Sequence, residues 1–427
     1  MNYFSLTDAT IVRSFDRALR DGIAPDRGLY FPERIPILDW SRIVRTPMSL
    51  ADLAFEILQP YVGQAIDETA LKALLVDALD FDVPLVDLEQ GLQVLELFHG
   101  PTAAFKDVGA RIMARLLAHT SQDRVTVLVA TSGDTGSAVA QGFLDVPGID
   151  VVILYPSGRI SHIQEQQLTT VGRNIRALEI QGNFDDCQAL VKRAFMDDDL
   201  KRKRALTSAN SINIGRWIPQ AIYYAWAAKH SSDPVHFVVP SGNFGNVAAG
   251  MLLQNMGVPM LPFIAATNAN DGMASYIKSG VFEAKRSVAT CANAMDVGDP
   301  SNRPRIEALC DNSFQVLQTR LLGYTMQDQA NREFMQYAQQ KWGYLACPHT
   351  AIALAAAHDF QSQSAVHGPL IALATAHPAK FGETVEDATG VNPALPDSLR
   401  ACLGRAKEST VIPASYKDLR DYLLLTA

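Results

Sequence analysis

The spacing of apolar residues divides the chain into two differently patterned regions. Before about residue 90, the stretches SLADLAFEILQPYV (49–62) and DETALKALLVDALDF (67–81) carry apolar residues at intervals of three and four. That period predicts two amphipathic helices, and Asp67 stands where the second helix needs an N-cap. The preceding stretch GIAPDRGLYFPERIP (22–36) is interrupted by proline and glycine and predicts a loop. We therefore expect a small, mainly helical N-terminal region over residues 1–90.

After this region, short runs rich in valine, isoleucine and leucine alternate with longer helical stretches. The runs are bounded by glycine and proline, and their valine, isoleucine and leucine residues are largely continuous. This pattern is typical of parallel strands buried on both faces and connected by helices, so it predicts an α/β fold over residues 91–427. Composition does not divide this second region further. The predicted strands are RVTVLVA (124–130), DVVILYP (150–156), IRALEIQ (175–181), VHFVVP (235–240), LPFIAAT (261–267) and PLIALAT (369–375).

Size and charge exclude several classes of protein. The 427 residues are 48% hydrophobic, enough for a large core, and a net charge of −8 disfavours non-specific binding of nucleic acid. The mixed-charge run DDDLKRKR (197–204) is typical of a solvated helix end. Five cysteines without CxxC spacing favour a reducing compartment and argue against a disulfide scaffold or a zinc site. Because no secretory signal and no apolar run of membrane-spanning length is present, we expect a soluble, cytoplasmic protein.

The first candidate chemical group is Lys106, in LFHGPTAAFKD (97–107). This lysine follows Phe105 and two alanines and precedes an amphipathic helix, so we expect it in half-buried surroundings at a helix N-terminus. Partial burial favours the neutral amine, which can condense with an aldehyde. Judged alone, a lysine at such a position is more often a surface residue that covers apolar neighbours with its stem.

The second candidate is a glycine-containing loop in VVPSGNFGNVAAG (238–250), between a predicted strand and a predicted helix. Gly242 and Gly245 let the backbone approach an anion, and the helix directs unpaired N–H groups and the positive end of its dipole toward it. Asn243 and Asn246 add side-chain donors. The loop matches neither GxGxxG nor GxxxxGK[ST]. We interpret it as a phosphate site, and the alternative is an ordinary strand-to-helix turn.

Two further polar stretches indicate a second anion site. ATSGDTGSAVA (130–140) repeats the strand–loop–helix pattern, and we expect Asp134 at its centre to cap the helix or hold the loop. TSANSINIGR (207–216) ends in Arg216, which is suited to bidentate phosphate binding but equally to a surface salt bridge. One cofactor phosphate needs only one loop, so a second loop indicates a substrate carboxylate or phosphate. The candidate donors are Ser132, Gly133, Thr135, Gly136, Ser208, Asn210, Ser211, Asn213 and Arg216.

Thr375 ends the last predicted strand, in ALATAHPAKF (372–381). Ligands of open α/β sheets gather at the carboxyl ends of strands, which makes its hydroxyl a candidate ligand group. Judged singly, His349, His377 and Lys380 are more often structural than catalytic. One amine and two anion sites on an α/β sheet, without metal ligands, are what pyridoxal phosphate (PLP) requires.

Together these motifs resemble those of the threonine synthase family, in the microbial and fungal branch of the PLP enzymes related to tryptophan synthase β. The resemblance runs over about residues 22–382, and the motifs stand in the family's order. It implies a tryptophan synthase β-like fold, the fold type II of PLP enzymes, with mostly parallel sheets flanked by helices and PLP as cofactor. The motifs are FHGPTAAFKD, SGDTGSA, SANSINIGR, SGNFGN, NAMDVGDPSN, HTAIA and TAHPAKF.

The resemblance also implies the roles of individual residues. Lys106 resembles the Schiff-base lysine, and Thr375 resembles the hydroxyl that faces the pyridine nitrogen of the cofactor. Unlike an aspartate, a neutral hydroxyl there does not enforce a protonated ring. The phosphate loop corresponds to Gly242, Asn243, Phe244, Gly245 and Asn246. The implied substrate-binding residues are Thr102, Ser132, Gly133, Asp134, Thr135, Gly136, Ser208, Asn210, Asn213 and Arg216, and their division between substrate carboxylate and phosphate stays open.

Two positions depart from the family pattern. Arg27 stands where the family usually has a second glycine, and Cys347 stands before PHTAIA where we expect an acidic residue. The first departure bears on the conformation of the N-terminal loop, and the second bears on the contacts around His349.

The implied reaction converts O-phospho-L-homoserine and water to L-threonine and inorganic phosphate by γ-elimination and β-hydration, with Lys106 transferring protons. A phospho-lyase of the same family, which gives 2-oxobutyrate from phosphohomoserine or phosphothreonine, shares the motifs and stays an alternative. A dehydratase or cysteine synthase fits SANSINIGR and MDVGDPSN poorly, and a non-catalytic binding protein would have lost Lys106 or the glycine loop. We expect a small-molecule substrate, no metal, no nucleic acid or membrane partner, and a monomer or homodimer.

Overall fold

The computed structural model describes residues 1–121, 123–363 and 367–425, which form three β-sheets surrounded by helices. The strands are β1 (Asn2–Ser5), β2 (Val12–Ser14), β3 (Tyr30–Pro32), β4 (Leu85–Glu89), β5 (Leu92–Glu96), β6 (Val125–Ala130), β7 (Ile149–Pro156), β8 (Ile175–Gln181), β9 (Ala205–Thr207), β10 (His236–Pro240), β11 (Phe263–Thr267), β12 (Leu321–Thr325), β13 (Leu370–Ala374) and β14 (Thr410–Pro413).

The helices lie between these strands and cover the sheets. They are α1 (Phe15–Asp21), α2 (Trp40–Arg45), α3 (Leu50–Val62), α4 (Glu68–Ala78), α5 (Lys106–Thr120), α6 (Asp134–Gly142), α7 (His162–Thr169), α8 (Phe184–Met196), α9 (Asp198–Lys203), α10 (Ile214–Trp217), α11 (Ala221–Lys229), α12 (Gly245–Asn255), α13 (Gly272–Ser279), α14 (Arg303–Leu309), α15 (Phe314–Arg320), α16 (Asp328–Trp342), α17 (Pro348–Ser362), α18 (Gly382–Thr389), α19 (Asp397–Arg400) and α20 (Tyr416–Leu425). Short 3-10 turns lie at Gly63–Ala65, Ile218–Gln220, Asn293–Met295 and Pro378–Phe381.

The N-terminal region contains the two predicted helices, α3 and α4, which confirms the reading of the apolar period. Ser49 begins α3 with a reciprocal capping box, and the Asp67 carboxylate accepts from the Ala70 N–H at the start of α4, as predicted. Both helices bury their apolar face in the main hydrophobic core. The division of the chain at residue 90 stays a prediction.

A small antiparallel sheet in the order β2-β1-β3 precedes these helices. The prediction of a loop over residues 22–36 is therefore wrong at Tyr30–Pro32, which forms β3 and is buried throughout. Three residues are too few to establish an alternating pattern, and the flanking prolines and glycines dominate the sequence signal.

The larger sheet has the order β12-β11-β10-β13-β5-β4 and is parallel except for β4, which pairs antiparallel with β5. Its central strands β10, β11 and β13 are buried along their whole length, as their continuous apolar runs predicted. Helices on both faces provide that burial. The three strand predictions in this sheet are confirmed.

The smaller sheet has the order β14-β8-β7-β6-β9 and is parallel throughout. The strands predicted at 124–130, 150–156 and 175–181 are its members β6, β7 and β8. The C-terminal residues complete it, because β14 adds an edge strand beside β8 and α20 packs on α8. The last part of the chain therefore extends the smaller sheet, although its sequence carries no recognisable motif.

The carboxyl ends of three buried strands carry the motifs that the sequence singled out. β6 ends at Ala130 before the start of α6, β10 ends at Pro240 before the start of α12, and β13 ends at Ala374 before Thr375. All three ends border one cavity between the two parallel sheets. This is the edge at which α/β sheets hold their ligands.

Candidate active site

A cavity of about 400 Å³ lies at these strand ends. Its wall contains thirteen of the residues that the sequence predicts for the site. These are Lys106, Ser132, Asp134, Thr135, Asn210, Ser211, Arg216, Gly242, Asn243, Phe244, Gly245, Asn246 and Thr375. Because they come from segments more than 250 residues apart in sequence, the fold rather than local sequence brings them together.

Lys106 is the first residue of α5 and is partly accessible from the cavity, while the surrounding protein keeps its amine away from bulk water. Burial lowers the pKa of Lys106 to about 8, since a desolvated ammonium is disfavoured. The Asp134 carboxylate opposes this shift, and the charges of Lys380 and Arg216 add to it. A substantial part of the amine is therefore neutral near physiological pH.

Backbone hydrogen bonds connect the residues just before Lys106 to the residues just after β13. The Phe105 N–H donates to the Thr375 carbonyl at 2.9 Å, and the His377 N–H donates to the Ala103 carbonyl at 3.0 Å. The backbone that carries Lys106 is therefore held against the backbone that carries Thr375, and both residues line the cavity. Thr375 is 6% exposed and its side chain is uncharged, as the sequence predicted for the group facing a pyridine nitrogen.

The loop before α12 has the geometry of an anion cradle. Phe244 takes a left-handed backbone conformation (φ 59°) as the residue preceding α12. The first turn of the helix then directs N–H groups without intrahelical partners at the cavity. Gly242 lies so close to the turn at Asn293–Met295 that a Cβ there would stand 2.6 Å from the Met295 Cα. Only glycine leaves this room.

Hydrogen bonds to neighbouring residues fix the two asparagine side chains of the same loop. Asn246 accepts from the Tyr223 and Tyr224 hydroxyls through Oδ1, at 2.6 and 2.7 Å, and its buried Nδ2 has no hydrogen-bond partner. Asn243 donates to the Ser211 hydroxyl at 2.7 Å, and its carbonyl accepts from the Asn302 side chain at 3.0 Å. An unpartnered buried amide N–H₂ needs an acceptor, and a phosphate oxygen at this cradle supplies one.

Lys106, the cradle and Thr375 therefore fit PLP. The aldehyde requires a neutral amine, the phosphate requires N–H donors, and the pyridine nitrogen requires a polar partner at the opposite end. The structure provides one group of each kind around a single cavity.

In the SGDTG segment, the aspartate binds other residues of the protein, and the hydroxyl side chains stay at the cavity wall. Asp134 forms a salt bridge of 2.9 Å with Lys380, and its carboxylate also accepts from Gln164 at 2.9 Å. Burial alone raises the pKa of Asp134, but the charges of Lys380 and Lys106 and the two hydrogen bonds hold it well below its usual range. Ser132 and Thr135 keep partly exposed side chains at the cavity wall.

In the TSANSINIGR segment, Arg216 is the group best placed to bind an anion. It is 4% exposed, it lines the cavity, and its only side-chain hydrogen bond among the described residues goes to the Ala209 carbonyl at 2.6 Å. Its buried Nε has no acceptor. Burial lowers the pKa of Arg216 to about 10, against the opposing charge of Asp107, so the guanidinium stays protonated at neutral pH.

The structure does not bring five predicted substrate residues to the cavity wall, because other groups use their polar atoms. The Thr102 hydroxyl donates to the buried Asp107 carboxylate at 2.5 Å. The N–H groups of Gly133 and Gly136 both donate to the Thr131 hydroxyl. The remaining two are Ser208, whose hydroxyl accepts from the Asn210 N–H, and Asn213, which caps α10 and donates to the Leu19 and Ser208 carbonyls.

Two parts of the cavity wall were not predicted from the sequence to line the site. The first is α8, whose Asp185, Gln188 and Lys192 line the cavity. Their spacing of three and four residues marks one polar helix face, which is a signal that the sequence contains. The second is the segment 285–301, which passes through the NAMDVGDPSN motif and has little regular structure.

His349 connects this second segment to the body of the protein. Its Nε2 accepts from the Ala294 N–H at 3.1 Å, which requires the neutral imidazole. Burial lowers the pKa of His349 to about 4, with Asp134 opposing this shift and Lys106 and Lys380 adding to it. Cys347, the departure from the family pattern, stands at the start of α17 with its Sγ 3.8 Å from His349 Nδ1.

No group of three or more His, Cys, Asp and Glu side chains in the described residues is arranged to hold a metal ion. Within the same residues, no helix combines the length and apolar character needed to cross a bilayer.

Comparison with known proteins agrees with this geometry along the whole chain. Residues 83–375 match the family of pyridoxal-phosphate dependent enzymes, so fold and site define a PLP-dependent enzyme of fold type II. Residues 2–79 match the threonine synthase N terminus, and residues 350–423 match the C-terminal region of threonine synthase. The chain belongs to the threonine synthase family. It is a PLP-dependent lyase that synthesises threonine.

The chain aligns with its relatives over nearly the full length of both proteins. The chain is 42% identical to threonine synthase of Haemophilus influenzae, over 99% of this chain and 100% of that protein, and 39% identical to that of Escherichia coli. The crystal structure of threonine synthase from Escherichia coli covers 100% of both chains at 38% identity with a TM-score of 0.94. A PLP-bound threonine synthase from Brucella melitensis covers 100% of this chain and 99% of its own at 33% identity, with a TM-score of 0.92.

Proposed function

We propose that the substrate is O-phospho-L-homoserine and that the products are L-threonine and inorganic phosphate. One observation carries this proposal: the buried Arg216 guanidinium faces the same cavity as Lys106 and forms no salt bridge with a described residue. A buried cation requires an anionic partner. The cradle before α12 serves the cofactor phosphate, which leaves Arg216 to bind an anionic group of the substrate.

Lys106 performs the proton transfers in this proposal. When bound, PLP supplies an electron sink that acidifies the carbon atoms next to the substrate amine. Lys106, whose lowered pKa makes its neutral amine far more accessible near neutral pH than that of an ordinary lysine, takes the proton from the α-carbon. Its position at the start of α5, tied to Thr375, keeps the amine directed into the cavity.

Arg216 and the cavity-facing donors Ser132, Thr135 and Asn210 bind the substrate's anionic groups and stabilise the charge that grows as phosphate leaves the γ-carbon. Loss of a proton from the β-carbon provides the electron pair that expels phosphate, and the γ-carbon then takes up a proton. Water adds at the β-carbon, so that one water is consumed for each phosphate released. The division of these donors between carboxylate and phosphate stays open. The wall formed by α8 and the segment 285–301 encloses the substrate.

The first prediction concerns the products. The PLP-loaded enzyme should convert phosphohomoserine to equal amounts of threonine and phosphate, measured by chromatography and a phosphate assay. Lys106→Ala should reduce this rate at least about 100-fold, because the proton-transfer group is removed. Formation of 2-oxobutyrate instead of threonine would identify a phospho-lyase, and an unchanged rate in Lys106→Ala would remove this lysine from the reaction.

The second prediction concerns Arg216. Arg216→Met should lower kcat/KM for phosphohomoserine about 100-fold, the equivalent of about 3 kcal/mol, because an anion-binding donor is lost. Arg216→Lys is the matched control and should retain an intermediate value, since it keeps the charge but not the bidentate geometry. PLP affinity should stay unchanged in both variants. Unaltered kinetics in Arg216→Met would exclude this residue from substrate binding.

We also propose a cytoplasmic location and either a monomer or a homodimer. The five free cysteines support a reducing compartment. Fractionation of cells and light scattering of the purified enzyme test these two statements.

A further inference from the structure

A buried ion pair stands directly behind the cavity wall. The Lys380 Nζ lies 2.9 Å from the Asp134 carboxylate, and the two side chains are 0% and 4% exposed. Asp134 lines the cavity, whereas Lys380 does not. Burying two charges is costly, so a pair in this place needs a reason other than stability.

The partners of this pair fix both charges in place. Lys380 also donates to the Thr102 carbonyl at 2.9 Å, in the segment that leads into Lys106. Asp134 also accepts from Gln164, which is held in the capping box of α7. The pair therefore links α6, α7, the turn at Pro378–Phe381 and the approach to α5.

Lys106 is the other cation that faces the Asp134 carboxylate. Their charges interact through the buried surroundings, but no salt bridge joins them, and the carboxylate binds Lys380 instead. Without Lys380, the Asp134 carboxylate would act on Lys106 without that competing cation, which favours the ammonium form of the Lys106 amine.

We propose that Lys380 is a positioning residue for the reaction: by occupying the Asp134 carboxylate, it leaves the Lys106 amine free for the cofactor and the substrate. The inference rests on the proposed role of Lys106. It assigns Lys380 and Asp134 opposite effects on the amine. Asp134 stabilises the ammonium form, and Lys380 cancels most of that attraction.

The other charged groups around the Lys106 amine are the same in the wild type and in the variants of Lys380 and Asp134. Arg216 adds a positive charge from α10, and His349 at the start of α17 is neutral near pH 7. Asp107 on α5 binds Thr102, and His377 beside the Pro378–Phe381 turn is neutral because its pKa is lowered to about 4 by burial. None of these residues forms a salt bridge with Lys106 or Lys380, so changes at the pair act on the amine directly.

The test measures the protonation of Lys106 in the full chain freed of PLP. The protein is treated with acetic anhydride, which reacts with neutral amines, and the modified Lys106 is quantified by mass spectrometry across pH. The variants are Lys380→Met, Asp134→Asn, the double variant and Lys380→Arg, each checked for folding by circular dichroism. The acid limb of kcat in the PLP-loaded enzyme, which reports the enzyme–substrate complex in which the Lys106 amine is free, provides a second measurement.

Lys380→Met should raise the midpoint of labelling by about one pH unit, because the carboxylate then stabilises the Lys106 ammonium. Asp134→Asn should lower the midpoint by about one pH unit, because only the repulsion from Lys380 remains. The double variant should return close to wild type, and Lys380→Arg should restore the wild-type midpoint. The acid limb of kcat should move in the same directions.

Single variants whose midpoints coincide with wild type, or move in one common direction, would overturn the proposal. If Lys380→Met fails to fold, Asp134→Asn and the double variant decide by the same criterion. The labelling experiment requires no turnover. If phosphohomoserine proves not to be the substrate, the labelling result can therefore still be interpreted. If the labelling contradicts the role of Lys380, the proposal of threonine synthesis is unaffected.

Discussion

At Gly242, the absence of a side chain keeps the cofactor cradle open. A Cβ at this position would meet the Met295 Cα at 2.6 Å and the Ala294 carbonyl oxygen at 3.2 Å, and both are backbone atoms that cannot rotate away. We predict that Gly242→Ala displaces the loop before α12 and weakens PLP affinity at least about tenfold, the equivalent of about 1.4 kcal/mol. Titration of the PLP-free enzyme with PLP measures this change.

Gly382→Ala is the matched control for this substitution. A Cβ at Gly382 meets no heavy atom within 4 Å, and the residue has a helical backbone conformation (φ −51°). The control should therefore bind PLP like wild type. Equal PLP affinity in Gly242→Ala and Gly382→Ala would show that the close approach to Met295 does not shape the site.

Single residues also mark the limit of what sequence predicts. Glycines, asparagines and hydroxyl residues were recognised as donors by type, but type does not say which acceptor each group meets. Thr131 was not singled out, yet its hydroxyl accepts from the Gly133 and Gly136 N–H groups and holds that loop in shape. Such pairings depend on three-dimensional positions within a few tenths of an ångström, which spacing along the chain does not encode.

Arg27 illustrates the same limit for backbone conformation. The family resemblance places glycine there, and the arginine nevertheless takes the left-handed conformation (φ 69°) that glycine favours, at a cost of about 1–2 kcal/mol. The neighbouring Asp26 holds the turn by accepting from the Ser5 hydroxyl and the Gly28 N–H. An arginine at position 27 is therefore compatible with this turn, because the hydrogen bonds of the neighbouring Asp26 determine the backbone conformation.

At the scale of elements, the buried strands were predictable and the edge strands were not. The six apolar runs became β6, β7, β8, β10, β11 and β13, since parallel strands that helices cover carry mostly apolar residues and so give a strong signal. The strands missed were β1, β2, β3, β4, β5, β9, β12 and β14, most of which are short, mixed in pattern or at a sheet edge. Their pairing depends on a neighbouring strand that is distant in sequence.

The same contrast holds for the elements of the site. The helix starts at Lys106, Asp134 and Gly245 follow recognisable motifs, so their contribution to the cavity could be predicted. The polar face of α8 could not, because amphipathic helices are common and nothing local says what they face. In the segment 285–301 the NAMDVGDPSN motif was recognised, but its place at the cavity wall was not predicted.

At the scale of the whole molecule, Arg305 connects the N-terminal sheet to the segment beside the cavity. The Arg305 guanidinium donates to the Tyr30 carbonyl of the N-terminal sheet and to the Ser211 and Ile212 carbonyls beside the cavity, and it stacks on Trp217 at 4.3 Å. The N-terminal region thereby supports the segment that carries Arg216. This explains how a region outside the cavity wall contributes to its geometry, and no pattern within residues 1–90 announces it.

The stability of the whole molecule should depend on pH through His349. The folded protein keeps this buried imidazole neutral, with its pKa lowered to about 4, whereas in the unfolded chain it binds a proton below about pH 6.5. The unfolded state therefore binds more protons between these values, so stability is lost as pH falls, by about 2 kcal/mol from pH 7 to pH 5. Urea unfolding of the PLP-loaded enzyme at both pH values measures this loss. His349→Gln keeps an acceptor for the Ala294 N–H but cannot titrate, so its loss over the same interval should be smaller by about that amount, and an identical loss in both proteins would contradict the prediction.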